Sequence, residues 1–217
     1  MASFLKIEIF SDVICPWCFI GKRRLDAVIE KGGVGEIELE WRPYQLYPNL
    51  PSGGMARDDF LRARYGESAD PTRTPERIRL EAEEVGITFD YAAVDRVPNT
   101  LSAHRLLAMS SELGCQHELA ETLFQAYFCD GSDVGDVGTL VDCAIAVGMN
   151  GGVVKEFLDS DEGVDTTLRE IAGTFDIGVV GVPCYRLGEA FLLPGAQPPD
   201  VMIQFIDRAR KRLAEPE

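Results

Sequence analysis

The sequence predicts an α/β fold in which a mixed β-sheet is interrupted by a large all-helical segment. Three observations lead to this prediction. A strand–helix–strand pattern opens the chain, amphipathic helical segments fill its middle, and a hairpin followed by a helix closes it. This order indicates two domains: one is formed by residues 1–50 and 177–217, and a helical domain of residues 51–176 is inserted into it.

The opening pattern begins with a strand from Phe4 to Phe10, which is rich in residues that favour β-structure. Apolar residues then recur at helical spacing from Phe19 to Ile29, and Gly32-Gly33 ends this helix. A second alternating run, from Ile37 to Trp41, ends at Pro43. The connection is long enough for a crossover, so we expect the two strands to be parallel.

The middle of the chain contains no convincing strand between about Ala56 and Asp176. Prolines and glycines between positions 48 and 54 mark a loop before it. Apolar residues then follow helical spacing, and several segments begin at capping residues and end at glycines. The predicted helices are Arg57 to Tyr65, Pro75 to Val85, Asn99 to Leu113, His117 to Cys129, Asp136 to Val147, Gly152 to Leu158 and Gly163 to Phe175.

The end of the chain returns to strands. A strand follows Gly181-Val182-Pro183, a turn is expected at Gly188-Glu189, and Ala190 to Leu193 forms the partner strand. Residues 198–200 open a final helix. Because a hairpin is antiparallel and the first two strands are parallel, the sheet is predicted to be mixed.

The composition excludes several classes of function. The chain has 217 residues and a formal net charge of −15, which argues against nucleic acid or an anionic membrane as partner. No run approaches the ~20 apolar residues that span a bilayer. The segment from Met1 to Phe10 has no signal-peptide pattern. We therefore expect a cytoplasmic protein in a compartment that keeps thiols reduced.

The six cysteines do not form a disulfide or zinc framework. Only Cys15 and Cys18 are paired by spacing, whereas structural zinc sites usually need four ligands in paired motifs, so no metal site is expected. A second redox pair stays open, because separate helices can bring two cysteines together, but packed or surface cysteines are the simpler interpretation. The isolated residues are Cys115, Cys129, Cys143 and Cys184.

The motif Cys15-Pro16-Trp17-Cys18 falls between the first strand and the first helix. With Cys15 at the N-cap, Pro16 occupies the first helical position, and the Cys18 amide can point at the Cys15 sulfur. The helix N-terminus carries about half a positive charge, which favours a thiolate at Cys15. We predict an exposed nucleophile at Cys15 and a resolving thiol at Cys18. A structural pair, half of a zinc site or coincidence are the alternatives for an isolated motif of this kind.

The segment from Phe10 to Lys22 resembles the DsbA-like thioredoxin family, in particular its cytoplasmic FrnE-type branch. The resemblance continues at Pro98 to Leu106, at Gly181-Val182-Pro183 and at Gly195 to Pro198, so it is spread over most of the chain. It implies a thioredoxin-like fold with a helical insertion domain. It also implies disulfide oxidoreductase or isomerase activity.

The same resemblance implies which molecules the protein meets. Its substrates would be disulfide-containing proteins or small thiols. No bound cofactor is implied; glutathione is a candidate co-substrate, and a glutathione or thioredoxin system would recycle the cysteine pair.

The resemblance further implies that Val182 and Pro183 form a cis-proline loop that faces the cysteine pair and holds substrate. Taken alone, Pro183 is equally an ordinary proline at the start of a strand. Cys184 follows it directly. This thiol lies near the active site or faces away as a small buried residue, and the second interpretation is the simpler one.

Three further residues are candidates for active-site support. Asp12 relays protons to Cys18, or it is only a turn residue at the end of the strand. Trp17 offers a flat apolar surface to substrates. His104, which lies in the second resembling block, faces the cleft or is a packed or surface histidine.

Two rival functions remain open. The first is a glutathione-dependent isomerase or transferase of the kappa-class or hydroxychromene-carboxylate isomerase type. These proteins resemble the predicted architecture but use a serine at the nucleophile position, which the pair Cys15 and Cys18 argues against. The second is a redox-sensitive chaperone or binding module, which would bind clients without disulfide turnover.

Overall fold

A computed structural model describes residues 4–67, 70, 72–188 and 190–214 of the chain. Residues 1–3 of the N-terminal segment and Glu189 of the expected hairpin turn lie outside the described residues. Among the helices in these ranges, none combines the length and apolar character that crossing a bilayer requires.

The main sheet is mixed, as predicted. Its strands lie in the order β2-β1-β5-β6; β1 is parallel to β2 and antiparallel to β5, and β6 is antiparallel to β5. Strand β1 lies inside the sheet and almost all of its residues are buried, so the residues that follow it enter the interior. The strands of the chain are β1 (Leu5–Ser11), β2 (Ile37–Pro43), β3 (Met55–Ala56), β4 (Arg96–Val97), β5 (Cys184–Leu187) and β6 (Phe191–Pro194).

Strands β3 and β4 correct the prediction that the middle of the chain has no strand. They pair antiparallel, with Met55 opposite Val97. Gly54 permits the close approach, since its φ is +68° and a Cβ there would lie 2.6 Å from the Val97 carbonyl oxygen. Two-residue strands are too short to produce an alternating pattern, and their pairing is distant in sequence, so the sequence carries no local signal for them.

The seven helices predicted for the middle of the chain are confirmed, with ends that shift by no more than two residues. Such shifts are ordinary, because helix ends fray and the last turn is often irregular. The helices are α1 (Pro16–Lys31), α2 (Arg57–Tyr65), α3 (Glu76–Glu83), α4 (Leu101–Ser111), α5 (Gln116–Phe128), α6 (Val137–Ala146), α7 (Gly151–Asp159), α8 (Val164–Gly173) and α9 (Pro199–Ala214).

One hydrophobic core extends from the sheet into the helical segment. The ring of Phe19 on α1 stacks on Phe124 of α5 with centroids 5.1 Å apart, and Phe128 lies 6.3 Å from the same ring. Helix α1, which starts at the cysteine motif, is therefore held between the sheet and α5. The division into domains of residues 1–50 with 177–217 and 51–176 stays a prediction.

Helix α4 is anchored by a buried arginine. The Arg105 guanidinium donates hydrogen bonds to the carbonyls of Phe157, Ser160 and Glu162 at 2.7–2.8 Å. These carbonyls lie at and beyond the C-terminal end of α7, where backbone acceptors lack helical partners. The bonds fix α4 against α7 and thereby fix the neighbouring residue His104.

Candidate active site

The cysteine motif starts α1 as predicted. Cys15 is the N-cap residue, with φ −93° and ψ 112°, and Pro16 is the first helical residue. The amides of Cys18 and Phe19 donate to the Cys15 carbonyl oxygen at 3.0 and 3.3 Å, and no hydrogen bond joins the Cys15 side chain to the helix amides. We expected the Cys18 amide to point at the Cys15 sulfur. It donates instead to the Cys15 carbonyl oxygen, which accepts the first intrahelical hydrogen bond at an N-cap.

Cys15 is buried, and the prediction of an exposed thiol is wrong. Only 3% of the residue is accessible, and its Sγ lies 3.7 Å from the Val182 carbonyl oxygen as a hydrogen-bond donor. Burial also raises the pKa of the Tyr44 phenol, and the electrostatic influence of Asp12 and Cys15 adds to that increase. Residues far away in sequence thus cover the sulfur, which local helix signals cannot reveal.

Cys18 lies deeper, with 1% of its surface accessible. Burial, reinforced by the neighbouring Cys15 thiol, raises the pKa of the Cys18 thiol well above its ordinary value. The Ser11 hydroxyl and the main chain of Asp12 oppose this increase but do not cancel it. Both cysteines are free in this structure, and the raised pKa favours the protonated form of Cys18.

The peptide bond between Val182 and Pro183 is cis, in agreement with the expectation. The loop lies against α1 at Gly21, where a Cβ would collide with the Tyr185 hydroxyl and lie 3.1 Å from Pro183 Cγ. Sequence reasoning missed Gly21, although a glycine inside a helix, one turn after Cys18, is a signal for close backbone approach.

An open groove of about 480 Å³ runs past the loop and the start of α1. It brings together Trp17, Val182 and Pro183, which were expected to hold substrate. The Arg77 guanidinium lies over the Trp17 ring, 5.2 Å from its centroid, and Arg24 lines the groove in an ion pair with Glu81 of the same wall. The groove therefore offers a flat aromatic surface and charged groups of both signs beside the cis-proline loop.

A second cavity, of about 600 Å³, adjoins the other side of Pro16. Sequence reasoning did not find it, because its wall joins the start of α1 to residues from several later segments of the chain. Aromatic side chains, among them Tyr47, Phe60, Tyr91 and Tyr127, share the wall with charged ones such as Arg57.

Asp12 and His104 are brought together in the interior. Asp12 is fully buried; its Oδ2 accepts the Leu46 amide at 2.7 Å, and its carbonyl accepts the Cys15 amide at 2.9 Å. Asp12 therefore forms the turn between β1 and α1, since its carbonyl accepts the Cys15 amide three residues on. Its Oδ1 lies 3.5 Å from His104 Nε2, and His104 is itself buried.

Cys184 does not belong to the core that contains Cys15 and Cys18. Cys184 packs with Phe10 and Val179 in a small cluster that is separate from the core around Cys15 and Cys18. Burial raises the pKa of the Cys184 thiol to about 11. The simpler interpretation of Cys184 is confirmed. Within the described ranges, no group of three or more cysteine, histidine or acidic side chains could hold a metal ion.

Solved structures with the same architecture superimpose on nearly the whole chain. The probable DsbA oxidoreductase SCO1869 from Streptomyces coelicolor superimposes with a TM-score of 0.83 at 25% identity, covering 98% of this chain and 93% of that one. Cytosolic disulfide reductase DsbM from Pseudomonas aeruginosa with GSH gives 0.65 at 16% identity, covering 95% and 100%. A 2-hydroxychromene-2-carboxylate isomerase gives 0.65 at 15% identity, covering 96% and 95%.

Sequence comparison leads to the same group. The uncharacterized protein YwbO of Bacillus subtilis (strain 168) is 27% identical over 210 residues, which is 96% of this chain and 98% of that protein. The family model for the DSBA-like thioredoxin domain matches residues 6–207, which include both cysteines of the motif and the cis-proline loop. The chain is therefore a member of the DSBA-like thioredoxin domain family, with a thioredoxin-like fold.

Proposed function

We propose that this protein is a cytoplasmic thiol–disulfide oxidoreductase and isomerase of the FrnE-type branch, with Cys15 as nucleophile and Cys18 as resolving thiol. One observation carries the proposal. Cys15 is the N-cap residue of α1 and its Sγ lies against the Val182 carbonyl, while Cys18 lies one turn further into the helix with a raised thiol pKa. The groove lined by Trp17 and Pro183 supports substrate binding beside the same sulfur.

The chemistry proceeds by two thiol–disulfide exchanges. Cys15, as the thiolate, attacks one sulfur of a substrate disulfide, and the other sulfur leaves as a thiolate. Cys18 then loses its proton and attacks Cys15 Sγ; a Cys15–Cys18 disulfide forms and the second substrate sulfur leaves. The substrate gains two electrons and the protein loses two. The reverse sequence oxidises a dithiol.

Burial of the nucleophile limits what can reach it. With 3% of Cys15 accessible, a small disulfide or an extended peptide in the Trp17–Pro183 groove can approach the sulfur, whereas a rigid folded surface cannot. Glutathione fits this requirement as a co-substrate, and a glutathione or thioredoxin system would return the pair to the dithiol. The fold shared with a cytosolic disulfide reductase solved with GSH supports both the co-substrate and the location.

A redox titration in glutathione buffers tests the proposal, with tryptophan fluorescence and thiol labelling as readouts. We expect one reversible two-electron transition, which Cys15→Ser and Cys18→Ser abolish and the control Cys184→Ser leaves in place. A midpoint near ~−270 mV would identify a reductase and one near ~−180 mV an isomerase or oxidase. Failure of Cys15 and Cys18 to form a disulfide would refute the proposal.

One observation favours a second candidate, an isomerase that acts on an aromatic substrate with glutathione. The 600 Å³ cavity beside Pro16, which several aromatic side chains help to line, has the size that such a substrate needs, and an isomerase of this type shares the fold. Turnover of an aromatic substrate that survives Cys15→Ser would favour this candidate, because the serine would replace the thiol in activating glutathione.

A further inference from the structure

The groove beside the cis-proline loop contains charges that differ in how they are neutralised. Among the described residues, the charged side chains that line it are Arg24, Arg77 and Glu81. Arg24 is buried; its guanidinium donates to the Ala196 carbonyl at 2.7 Å and forms an ion pair with Glu81. This pair joins α1 to α3 and to the loop after β6, so it has a structural role and contributes little net charge to the groove.

Arg77 is the remaining charge of the groove, and the carboxylates of its own helix do not neutralise it. Glu81 lies four residues further along α3, the usual spacing for an ion pair on a helix, but it is bound to the buried arginine of α1. The other two carboxylates of α3, Glu76 and Glu83, are bound to Arg79 at 2.8 and 2.5 Å. In the part of the chain that the structure describes, no ion pair of Arg77 is seen.

The indole of Trp17 holds the Arg77 guanidinium at the groove. The guanidinium lies over the ring, 5.2 Å from its centroid, which is the distance of a cation–π contact. Such a contact orients the side chain but does not neutralise its charge, and the planar guanidinium keeps N–H donors that match a carboxylate. A molecule bound along the groove therefore meets an oriented cation.

The same groove leads to the reactive sulfur. Val182 and Pro183 line it, and the Val182 carbonyl accepts the hydrogen bond of Cys15 Sγ at 3.7 Å. Trp17, which holds the cation, is two residues from Cys15 in the chain. A disulfide that exchanges with Cys15 therefore places the groups next to its sulfur atoms in this groove.

We propose that Arg77 makes the protein prefer disulfides that carry a carboxylate close to the sulfur. The inference rests on the proposed dithiol function and adds to it a substrate class and the residue that selects it. The net charge of −15 repels anions at long range, so the general field of the protein acts against this preference. The preference depends instead on the short-range contact with one side chain.

Three small disulfides of similar length test the preference. Dithiodipropionate carries two carboxylates, hydroxyethyl disulfide is neutral, and cystamine carries two ammonium groups. The reduced protein is mixed with an excess of each, the reaction is quenched with acid, and thiol labelling gives the second-order rate constant. Because the three compounds differ in intrinsic reactivity, the ratios of their rate constants are compared between wild type and variants.

We expect Arg77→Gln to lower the ratio of the anionic to the neutral rate constant by about 3- to 5-fold at low salt, the scale of an exposed ion pair. Arg77→Lys should keep most of the wild-type ratio. Arg77→Glu should lower it further and raise the ratio of the cationic to the neutral rate constant. The effect of Arg77→Gln should shrink in about 0.5 M salt, because salt screens exposed charges.

The matched control is Arg79→Gln, which removes the same charge from the same helix, at a side chain that is bound to Glu76 and Glu83 and does not line the groove. It should keep the wild-type ratios. If Arg77→Gln also keeps them, or if both variants lower the anionic ratio equally, the role of Arg77 is wrong although the dithiol function stands. If the wild-type protein reacts with none of the three disulfides, the proposed function fails and the preference fails with it.

Discussion

At the scale of single residues, Cys15 and Cys18 are both buried but have different neighbours. Cys15 Sγ donates a hydrogen bond to a main-chain carbonyl of the cis-proline loop, whereas Cys18 lies in the core with 1% of its surface accessible. The roles proposed above, nucleophile for Cys15 and resolving thiol for Cys18, rest on these neighbours and not on a difference in exposure.

Gly21 on α1 permits the cis-proline loop to approach Cys15 and Cys18, and Gly21→Ala tests that contact. The added methyl group would push Pro183 and Tyr185 away, so we expect a loss of about 1–3 kcal/mol in the free energy of unfolding. Attack by Cys15 on a small disulfide should also slow. Urea unfolding and the rate constant for reaction with hydroxyethyl disulfide measure the two effects.

The matched control for Gly21→Ala is Gly173→Ala at the end of α8, where a Cβ would meet nothing within 4 Å. This variant should keep or slightly raise stability, because alanine favours a helix over glycine. Equal behaviour of the two variants would show that the loop does not depend on a glycine at position 21.

At the scale of elements, a buried carboxylate links three neighbouring strands of the sheet. Glu8 of β1 accepts hydrogen bonds from Arg42 of β2, at 2.9 Å, and from Arg186 of β5. Burial acts to raise the pKa of Glu8, but the bonds to Arg186 and Arg42 outweigh it, so the pKa is lowered. The strand that leads into the active site is thus fixed to both neighbours by charge.

This linkage makes stability depend on pH. Because the pKa of Glu8 is lower in the folded protein, its contribution is present above the unfolded value of about 4.5 and is lost as pH falls through the folded value. Glu8→Gln should therefore be less stable than wild type at pH 7, by about 1–3 kcal/mol for a buried charged hydrogen bond.

The difference between Glu8→Gln and wild type should shrink below about pH 4.5. Urea unfolding of both proteins between pH 3 and 7 measures it. The control is Glu38→Gln on β2, since no ion pair of Glu38 is seen with any residue that the structure describes. A difference that stays constant with pH would mean that Glu8 acts through packing and not through its charge.

At the scale of the whole molecule, the sheet and the helical segment share one core. Phe19 and Phe124 stack across the junction, and the Trp41 indole of β2 donates to His117 of α5 at 3.2 Å. Neither part can open without exposing apolar surface of the other. The chain should therefore unfold in one cooperative transition.

Two probes test that expectation, because both tryptophans, Trp17 and Trp41, lie before the helical segment. Far-UV circular dichroism, which reports mostly on the helices, and tryptophan fluorescence should give the same urea midpoint. Phe124→Ala should lower both midpoints together at a cost of about 3–5 kcal/mol, while the exposed Leu113→Ala should change neither. Separate transitions would indicate independently folding parts.

Local signals account for what the sequence could predict. Pro16 after Cys15 defines the start of α1, and glycines and capping residues such as Asp136 and Gly148 define the helix ends to within two residues. The role of the cis-proline loop came only from resemblance to a family. These features depend on neighbouring residues or on a recognisable motif.

Long-range contacts account for the features that could not be predicted from the sequence. The burial of Cys15, the pairing of Met55 with Val97 and the meeting of Asp12 with His104 each join segments far apart in the chain. Spacing along a sequence carries no information about which loop covers a sulfur. The fold class was therefore accessible, whereas the depth and the polar surroundings of the site were not.

The anchoring of α4 by Arg105 has a consequence for how the surroundings of the cysteine motif can change during evolution. His104, whose imidazole faces Asp12, precedes Arg105 directly, so its position depends on the carbonyls of Phe157, Ser160 and Glu162, at and beyond the C-terminal end of α7. A substitution that reshapes this end of α7 would remove acceptors of the Arg105 guanidinium and shift α4 and the imidazole with it. The contacts of the buried Asp12 carboxylate can thus change while the Cys15–Cys18 motif stays the same.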